Sequence, residues 1–318
     1  MHYRRLGASG LKVSEVCLGS WLTFGGATEN EVAEKCIDRA YELGINFFDT
    51  ANVYARGKSE EVVGKSLRKF PRSTYVLATK VFFPMDDGPM PNNRGLSRKH
   101  IIEQCEASLK RLGLDYIDVY QCHRYDPDTP LEEVLRALDD LVSHGKVIYV
   151  GFSQWSAHQI SDAVEFQVKH NMDRFVSSQP YYNMLGRDAE KDVIPVCERD
   201  GIGQIVYSPL AQGLLTGKYR PEEPLPADSR AADPKQNMFL NGGKLDNAVL
   251  EKIQRLAPVA KQAGLSMAQL ALAWCLRKKN VSSVIIGASK PAQVEDNAGA
   301  AGVALSPEII KAIDSALE

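Results

Sequence analysis

The stretch INFFDTANVYARGKS, residues 45–59, reads as one strand, one turn and the first residue of a helix. Ile45, Phe47 and Phe48 form an apolar run without the strict alternation of a sheet that has one wet face. Such a run fits a strand buried on both sides, which is the condition of a parallel sheet. The run stops on Asp49, Tyr54 follows five residues later in the turn, and from Ser59 to Lys69 the apolar residues fall at helical spacing. A strand leading into a helix in this way is a βα unit. Its partner must be another parallel strand reached by the helix.

The same unit recurs along the chain. Strand-like runs lie at residues 16–18, 45–49, 74–79, 116–122, 147–152, 175–178, 204–207 and 283–286. Helical patterns lie at 29–43, 59–69, 97–112, 131–142, 157–170, 188–199, 266–278 and 291–300. Eight such units close most simply as a (β/α)8 TIM barrel, an α/β fold of one domain over residues 1–318. A doubly wound open sheet is the competing arrangement, and it would usually carry a glycine-rich first turn. Two segments fall outside the repeat. Tyr3 to Val13, with Gly7 and Gly10, reads as a β-hairpin over the N-terminal mouth, and Pro307 to Leu317 reads as an extra C-terminal helix packed outside. The connections 83–95 and 213–247 are long and rich in Pro, Gly and charge, which marks them as functional or irregular. A further helix is expected within the second of these or over Leu250 to Ala263.

Composition narrows the function classes. A formal net charge of −2 gives no field that would draw nucleic acid or an anionic membrane surface. The cysteines Cys17, Cys36, Cys105, Cys122, Cys197 and Cys275 contain no C-x-x-C pair, which fits reduced thiols better than disulfides or zinc. No apolar run reaches the roughly 18 residues of a membrane helix, and MHYRRLGASG has no signal-peptide core, so a cytoplasmic protein without membrane insertion is expected. Gly57-Lys58-Ser59 resembles the end of a phosphate loop, but Asn52 stands where its first glycine belongs. There is no G-x-G-x-x-G, and the histidines share no metal-ligand spacing, so no metal site is expected.

In a barrel, polar residues at the C-terminal ends of strands face the active site. Three successive strands deliver Asp49, Lys80 and His123 there, and Tyr54 is within reach. Each alone is compatible with a structural role. Together they suit one chemistry: a lysine held by an aspartate lowers the pKa of a tyrosine, which then protonates a carbonyl that is receiving a hydride. The hydride must come from a cofactor, since no side chain supplies one. Near the last strand, Gly287 would admit a ligand to the backbone, Ser289 and Lys290 offer a hydroxyl and a charge, and Pro291 opens a helix whose amides could meet a phosphate. The seventh connection adds Tyr207, Lys218 and Arg230.

These residues, together with GSWLTFGG (19–26), FDTANVY (48–54), LATK (77–80), GFSQWS (151–156), YSPLAQGLLTGKY (207–219) and IIGAS (285–289), resemble the aldo-keto reductases over essentially the full chain. Through GLSRKHIIEQCEASLKRL (95–112) and LAWCLRKKNVSSVIIGAS (272–289) the likeness is strongest to the voltage-gated potassium channel beta subunits and their bacterial homologues. The resemblance implies an NADP(H)-dependent reductase of small carbonyl substrates with Tyr54 as acid, Lys80 and Asp49 as its tuning pair and His123 orienting the carbonyl. It also implies nucleotide contacts from Trp21, Asp49, Ser153, Gln154, Gln179, Tyr207, Ser208, Pro209, Leu210 and Gly213. Lys218, Arg230, Gly287, Ser289, Gln293 and Asn297 would surround the adenosine end. Trp21, Phe24, Tyr54, Phe82, Phe83 and Trp155 would line the substrate pocket. The channel subunits carry asparagine where this chain has His123, so His123 favours a working enzyme over a redox-sensing regulatory subunit that binds NADP(H). The resemblance further implies a homo-oligomer, a tetramer or octamer.

Overall fold

A computed structural model describes residues 1–26, 30–88, 90–227, 229–234, 236–237, 240 and 243–318. It opens with an antiparallel hairpin, β1 (Tyr3–Arg5) and β2 (Lys12–Ser14), paired Tyr3 to Ser14. Eight strands then follow: β3 (Val16–Gly19), β4 (Phe47–Asp49), β5 (Val76–Val81), β6 (Ile117–Cys122), β7 (Val147–Ser153), β8 (Phe175–Gln179), β9 (Gly203–Val206) and β10 (Val281–Ile286). They pair in parallel and in sequence order, and β10 returns to β3, which closes the barrel. The open doubly wound sheet is thereby excluded.

The unalternated apolar runs have the cause inferred for them. Cys17 and Phe47 belong to a cluster inside the barrel with Val76, Ala78, Val119 and Ile205, whereas their neighbours Val16, Leu18 and Phe48 belong to the layer between strands and helices. Successive side chains point to opposite faces, and here both faces are apolar. Leu6 and Val13 of the hairpin, both fully buried, complete the inner cluster and so plug the N-terminal mouth. Arg4 fixes the plug: its Nη1 donates to the carbonyls of Leu276, Lys278 and Val281 at 2.9, 3.2 and 2.8 Å, and its Nε pairs with Glu15 at 2.6 Å. Leu6→Ala is therefore expected to destabilise the fold by about 2–5 kcal/mol, the range for a buried leucine whose cavity cannot collapse. A loss below about 1 kcal/mol on urea unfolding would mean that the hairpin does not seal the core.

The surrounding helices are α1 (Asn30–Glu42), α2 (Lys58–Leu67), α3 (Arg98–Leu112), α4 (Leu131–Ser143), α5 (Ala157–Lys169), α6 (Val193–Asp200), α7 (Asn247–Gln254), α8 (Leu256–Gln262), α9 (Met267–Leu276), α10 (Pro291–Ala298) and α11 (Pro307–Leu317). On α4 the spacing works as expected: Val134, Leu135, Leu138 and Leu141 are buried, while Glu132 and Arg136 form an exposed ion pair. Capping boxes start α5 (Ser156, Gln159) and α9 (Ser266, Gln269).

Two expected boundaries move. The helix expected from Asp188 begins at Val193, because residues 188–190 make a separate 3-10 turn and the Asp192 carboxylate caps the Val193 amide at 2.6 Å. The helix expected over Leu250 to Ala263 is two helices, broken at Arg255. Pro258 explains the break, since it has no N–H to donate to Gln254. The expected start of the first helix at Glu29 lies outside the described residues, as do parts of the 83–95 and 213–247 connections.

Candidate active site

At the C-terminal mouth of the barrel, β4 ends on Asp49, and Lys80 is the penultimate residue of β5. Asp49 stands level with Ala78 in the ladder, so Lys80 reaches one inward-facing position further and bends back over it. The Lys80 side chain is fully buried, and its ammonium meets three acceptors: Asp49 Oδ1 at 2.5 Å, the Thr50 carbonyl at 2.7 Å and the Tyr54 hydroxyl at 3.3 Å. Each ammonium hydrogen thus has one partner. The other carboxylate oxygen of Asp49 accepts from Gln179 Nε2 at 2.9 Å and Gln121 Nε2 at 3.5 Å. Tyr54 is presented by a tight turn in which Ala55 and Arg56 have φ of 47° and 53°. Non-glycine residues held in the left-handed region store strain, a feature that gathers at functional sites.

The electrostatics correct one expectation. Burial raises the Tyr54 pKa above its ordinary value, and the Lys80 charge only partly offsets it, so the phenol is a protonated group rather than one already poised to ionise. Burial presses the Lys80 ammonium down, but the Asp49 charge and the hydrogen bonds outweigh burial and hold it above the usual lysine value. His123, just beyond β6, is pushed well below the ordinary imidazole value by burial, with the charges of Lys80 and Arg124 adding to the effect. Its ring is therefore neutral near pH 7. It meets Tyr54 and Phe83 edge-on, with centroids 5.7 and 5.0 Å apart, and its Nδ1 is buried without a hydrogen-bond partner.

This tip opens into a long cleft of about 1740 Å³ that runs from Trp21, Phe24, Tyr54, Phe83 and His123 past Tyr207 to the turn before α10. Asp49, Ser153, Gln179, Ser208, Pro209, Leu210 and Gly213 face it, and so do Lys218, Arg230, Gly287, Ser289, Gln293 and Asn297. Along its middle the chain curls: Ser208, Ala211, Gln212 and Gly213 all have positive φ, and Asn183 Nδ2 holds the Ser208 carbonyl at 3.0 Å. Gln212 donates to Ser208 Oγ at 2.7 Å and accepts from Arg230. At the far end the Gln293 side chain accepts from the Ser289 amide at 2.8 Å.

Three expected residues stand elsewhere. Phe82 is 8% exposed, packs edge-on against Phe83 and does not face the cleft. Trp155 is 2% exposed, packs among Phe152, Phe175 and Tyr125 and does not line this cleft. The preceding residue explains the turn: Gln154 has φ of 59°, which redirects the chain as β7 ends. Gln154 itself does not line the cleft, but its side chain hydrogen-bonds the Tyr207 hydroxyl across the wall. Conversely, the cleft recruits Arg124, Tyr181 and Gln212, which spacing did not single out. Arg124 follows His123 directly, and a charge beside a strand-end histidine was the available signal.

The long arm carries the cations Arg230 and Lys218. Arg230 is mostly buried, burial pulls its guanidinium below the ordinary value, and among the described residues no carboxylate forms a salt bridge with Arg230 or Lys218. Cations without a carboxylate partner can pair with a phosphate. Three non-glycine residues held at positive φ beside them give the strain that a ligand-shaped loop stores. Among the described residues no cluster of His, Cys, Asp and Glu could hold a metal, and no helix is long and apolar enough to cross a membrane.

Comparison with known proteins agrees with this architecture. The sequence model described as "Aldo/keto reductase family" matches residues 15–318. A chain of Schizosaccharomyces pombe is 45% identical over 325 residues, covering 99% of this chain and 93% of its own length. Chains of Arabidopsis thaliana and of Oryza sativa subsp. japonica are each 42% identical over 323 residues, covering 100% of this chain and 97% of their own lengths. All three bear the name of voltage-gated potassium channel subunit beta.

Proposed function

The chain belongs to the aldo/keto reductase family, and from that premise we propose that it reduces small aldehydes or ketones to alcohols with NADPH. The observation that carries the proposal is the Tyr54 hydroxyl hydrogen-bonded to a fully buried Lys80 whose charge is fixed by Asp49, at the tip of a cleft of about 1740 Å³. Reduction of a carbonyl requires a hydride at carbon and a proton at oxygen. NADPH bound along the cleft would supply the hydride. The chain supplies the proton and the field in which it moves.

Tyr54 enters protonated, because burial raises its pKa, and so can donate a hydrogen bond to the substrate oxygen. As charge gathers on that oxygen the proton crosses, and the phenolate left behind faces the Lys80 ammonium. Asp49 keeps Lys80 charged and aimed. His123, neutral, can hydrogen-bond the same oxygen without placing a second cation beside Lys80. For the nucleotide, Ser153 and Gln179, which face the cleft side by side, would hold the carboxamide, and Tyr207 would offer a ring for stacking. Lys218, Arg230, Ser289, Gln293 and Asn297 suit an adenosine bearing a 2′-phosphate. Arg230→Met is accordingly expected to weaken NADPH binding at least about tenfold more than NADH binding, a gap of about 1.4 kcal/mol. Equal losses in a fluorescence titration would remove Arg230 from the phosphate.

The direct test is oxidation of NADPH by purified protein with 4-nitrobenzaldehyde or methylglyoxal, against Tyr54→Phe. No turnover above that control sinks the catalytic reading. A second reading is favoured by the names of the relatives at 42–45% identity: an NADP(H)-binding regulatory subunit of a membrane channel or transporter. Tight nucleotide retention with negligible turnover and a stable membrane partner on pull-down would select it.

A further inference from the structure

Arg124 stands at the reacting end of the cleft, between His123 and the Phe83 ring. Its guanidinium lies 5.5 Å from the Phe83 centroid, and Nη1 donates to the His123 carbonyl at 2.6 Å. The Nε and Nη2 edge makes no hydrogen bond among the described residues, and none of their carboxylates forms a salt bridge with it. The charges around it do not cancel. Asp49 and Lys80 neutralise one another, Arg56 pairs with Asp87 at the rim, and Tyr54 and His123 are neutral, which leaves Arg124 as the uncompensated charge among the described residues named at this end. Its field also reaches Tyr207, opposing the rise that burial causes there.

A cation in a partly desolvated cleft wall is better stabilised by an anion than by water, and the open edge of a guanidinium presents two parallel N–H groups that match a carboxylate. We propose that Arg124 is a specificity-determining residue that selects carbonyl substrates carrying a carboxylate a few bonds from the reacting carbon, the class of short oxo acids. The inference rests on the reductase reading above and deepens it. The carbonyl sits at Tyr54 and His123, the adjoining chain passes Phe83, and the carboxylate takes the free edge of Arg124. A neutral aldehyde of the same length fills the same space but leaves the guanidinium unpaired.

The test compares 4-oxobutanoate with butanal, which match in chain length and differ in the carboxylate. In the wild type with NADPH, kcat/KM is expected to favour 4-oxobutanoate at least tenfold, chiefly through KM. In Arg124→Gln that ratio is expected to fall ten- to a hundredfold, about 1.4–2.8 kcal/mol. Arg124→Lys should recover part of it, because the charge remains and the fork is lost. An unchanged ratio in Arg124→Gln, or equal loss with both substrates, would overturn the proposal and leave Arg124 as a support for the His123 backbone. A parallel arm is independent of turnover: calorimetric titration of the NADP⁺-loaded protein with 4-hydroxybutanoate and with butan-1-ol. Carboxylate binding that is lost in Arg124→Gln supports the assignment even if the wild type reduces neither aldehyde, which is the result that would defeat the reductase reading alone. Binding of 4-hydroxybutanoate no tighter than butan-1-ol overturns it.

Discussion

Asp49→Asn is expected to destabilise the protein by about 3–5 kcal/mol, and Lys80→Met by a similar amount, whereas the double variant should lose clearly less than their sum. The argument is desolvation. Lys80 is fully buried and Asp49 nearly so, and neither charge has water as an alternative partner. With Asp49 gone, the ammonium keeps only the Thr50 carbonyl and the Tyr54 hydroxyl. With Lys80 gone, the carboxylate keeps only the amides of Gln179 and Gln121. Removing both charges leaves an uncharged site of nearly the same volume. Additive single losses, within about 0.5 kcal/mol on denaturant unfolding, would mean that the two charges do not depend on each other. The pH dependence has a definite sign. Lys80 has a pKa raised on folding, so its contribution is fully present below the unfolded-state value of roughly 10.4 and is lost as pH rises through the higher folded value. Lys80→Met should therefore show a smaller alkaline loss of stability than the wild type.

That pair also shows how far a sequence can be read. Asp49, Lys80 and His123 were legible because a barrel converts position along a strand into position in space: three strand ends in sequence order become three neighbours at one mouth. The plug made by Leu6 and Val13 was legible for the same reason, as the leftover hairpin had only one open end to cover. What escaped depends on local backbone rather than on topology. Trp155 follows Gln154, whose φ is positive, a feature spacing does not reveal, so its ring turns into the core cluster and not toward the cleft. Pro258 sits inside an amphipathic pattern that continues across it, so periodicity promised one helix where the missing amide permits two. The Tyr54 pKa escaped because charge proximity can be inferred from residue order, while burial, which here outweighs it, requires the packed site. Gln212 was invisible to spacing, since its partners Ser208 and Arg230 meet only after four residues of the segment adopt positive φ.

Tyr54→Phe is expected to lower kcat by about 10²–10⁴, the usual worth of a positioned general acid, or about 3–5 kcal/mol of transition-state stabilisation. The substitution removes one oxygen and keeps the ring, so the edge-on contact with His123 persists, and nucleotide affinity should change little. Lys80 cannot take over the role, because its ammonium is fully buried behind the tyrosine and already committed to Asp49 and Thr50. His123 cannot donate as an imidazolium near neutral pH, because burial keeps its ring uncharged. Turnover in Tyr54→Phe within tenfold of the wild type would mean that the proton has another source. The pH profile separates the roles further. A donor whose pKa lies above the ordinary phenol value stays protonated through neutral pH, so the alkaline decline of kcat should begin above pH 10. Since the Lys80 charge pulls that value down, any residual activity of Lys80→Met should decline at still higher pH. No acidic limb is expected between pH 6 and 8, where a histidine at its ordinary value would titrate and His123 does not. A profile whose alkaline limb moves down in Lys80→Met would contradict the arrangement in which the buried lysine stabilises the ionised form of Tyr54.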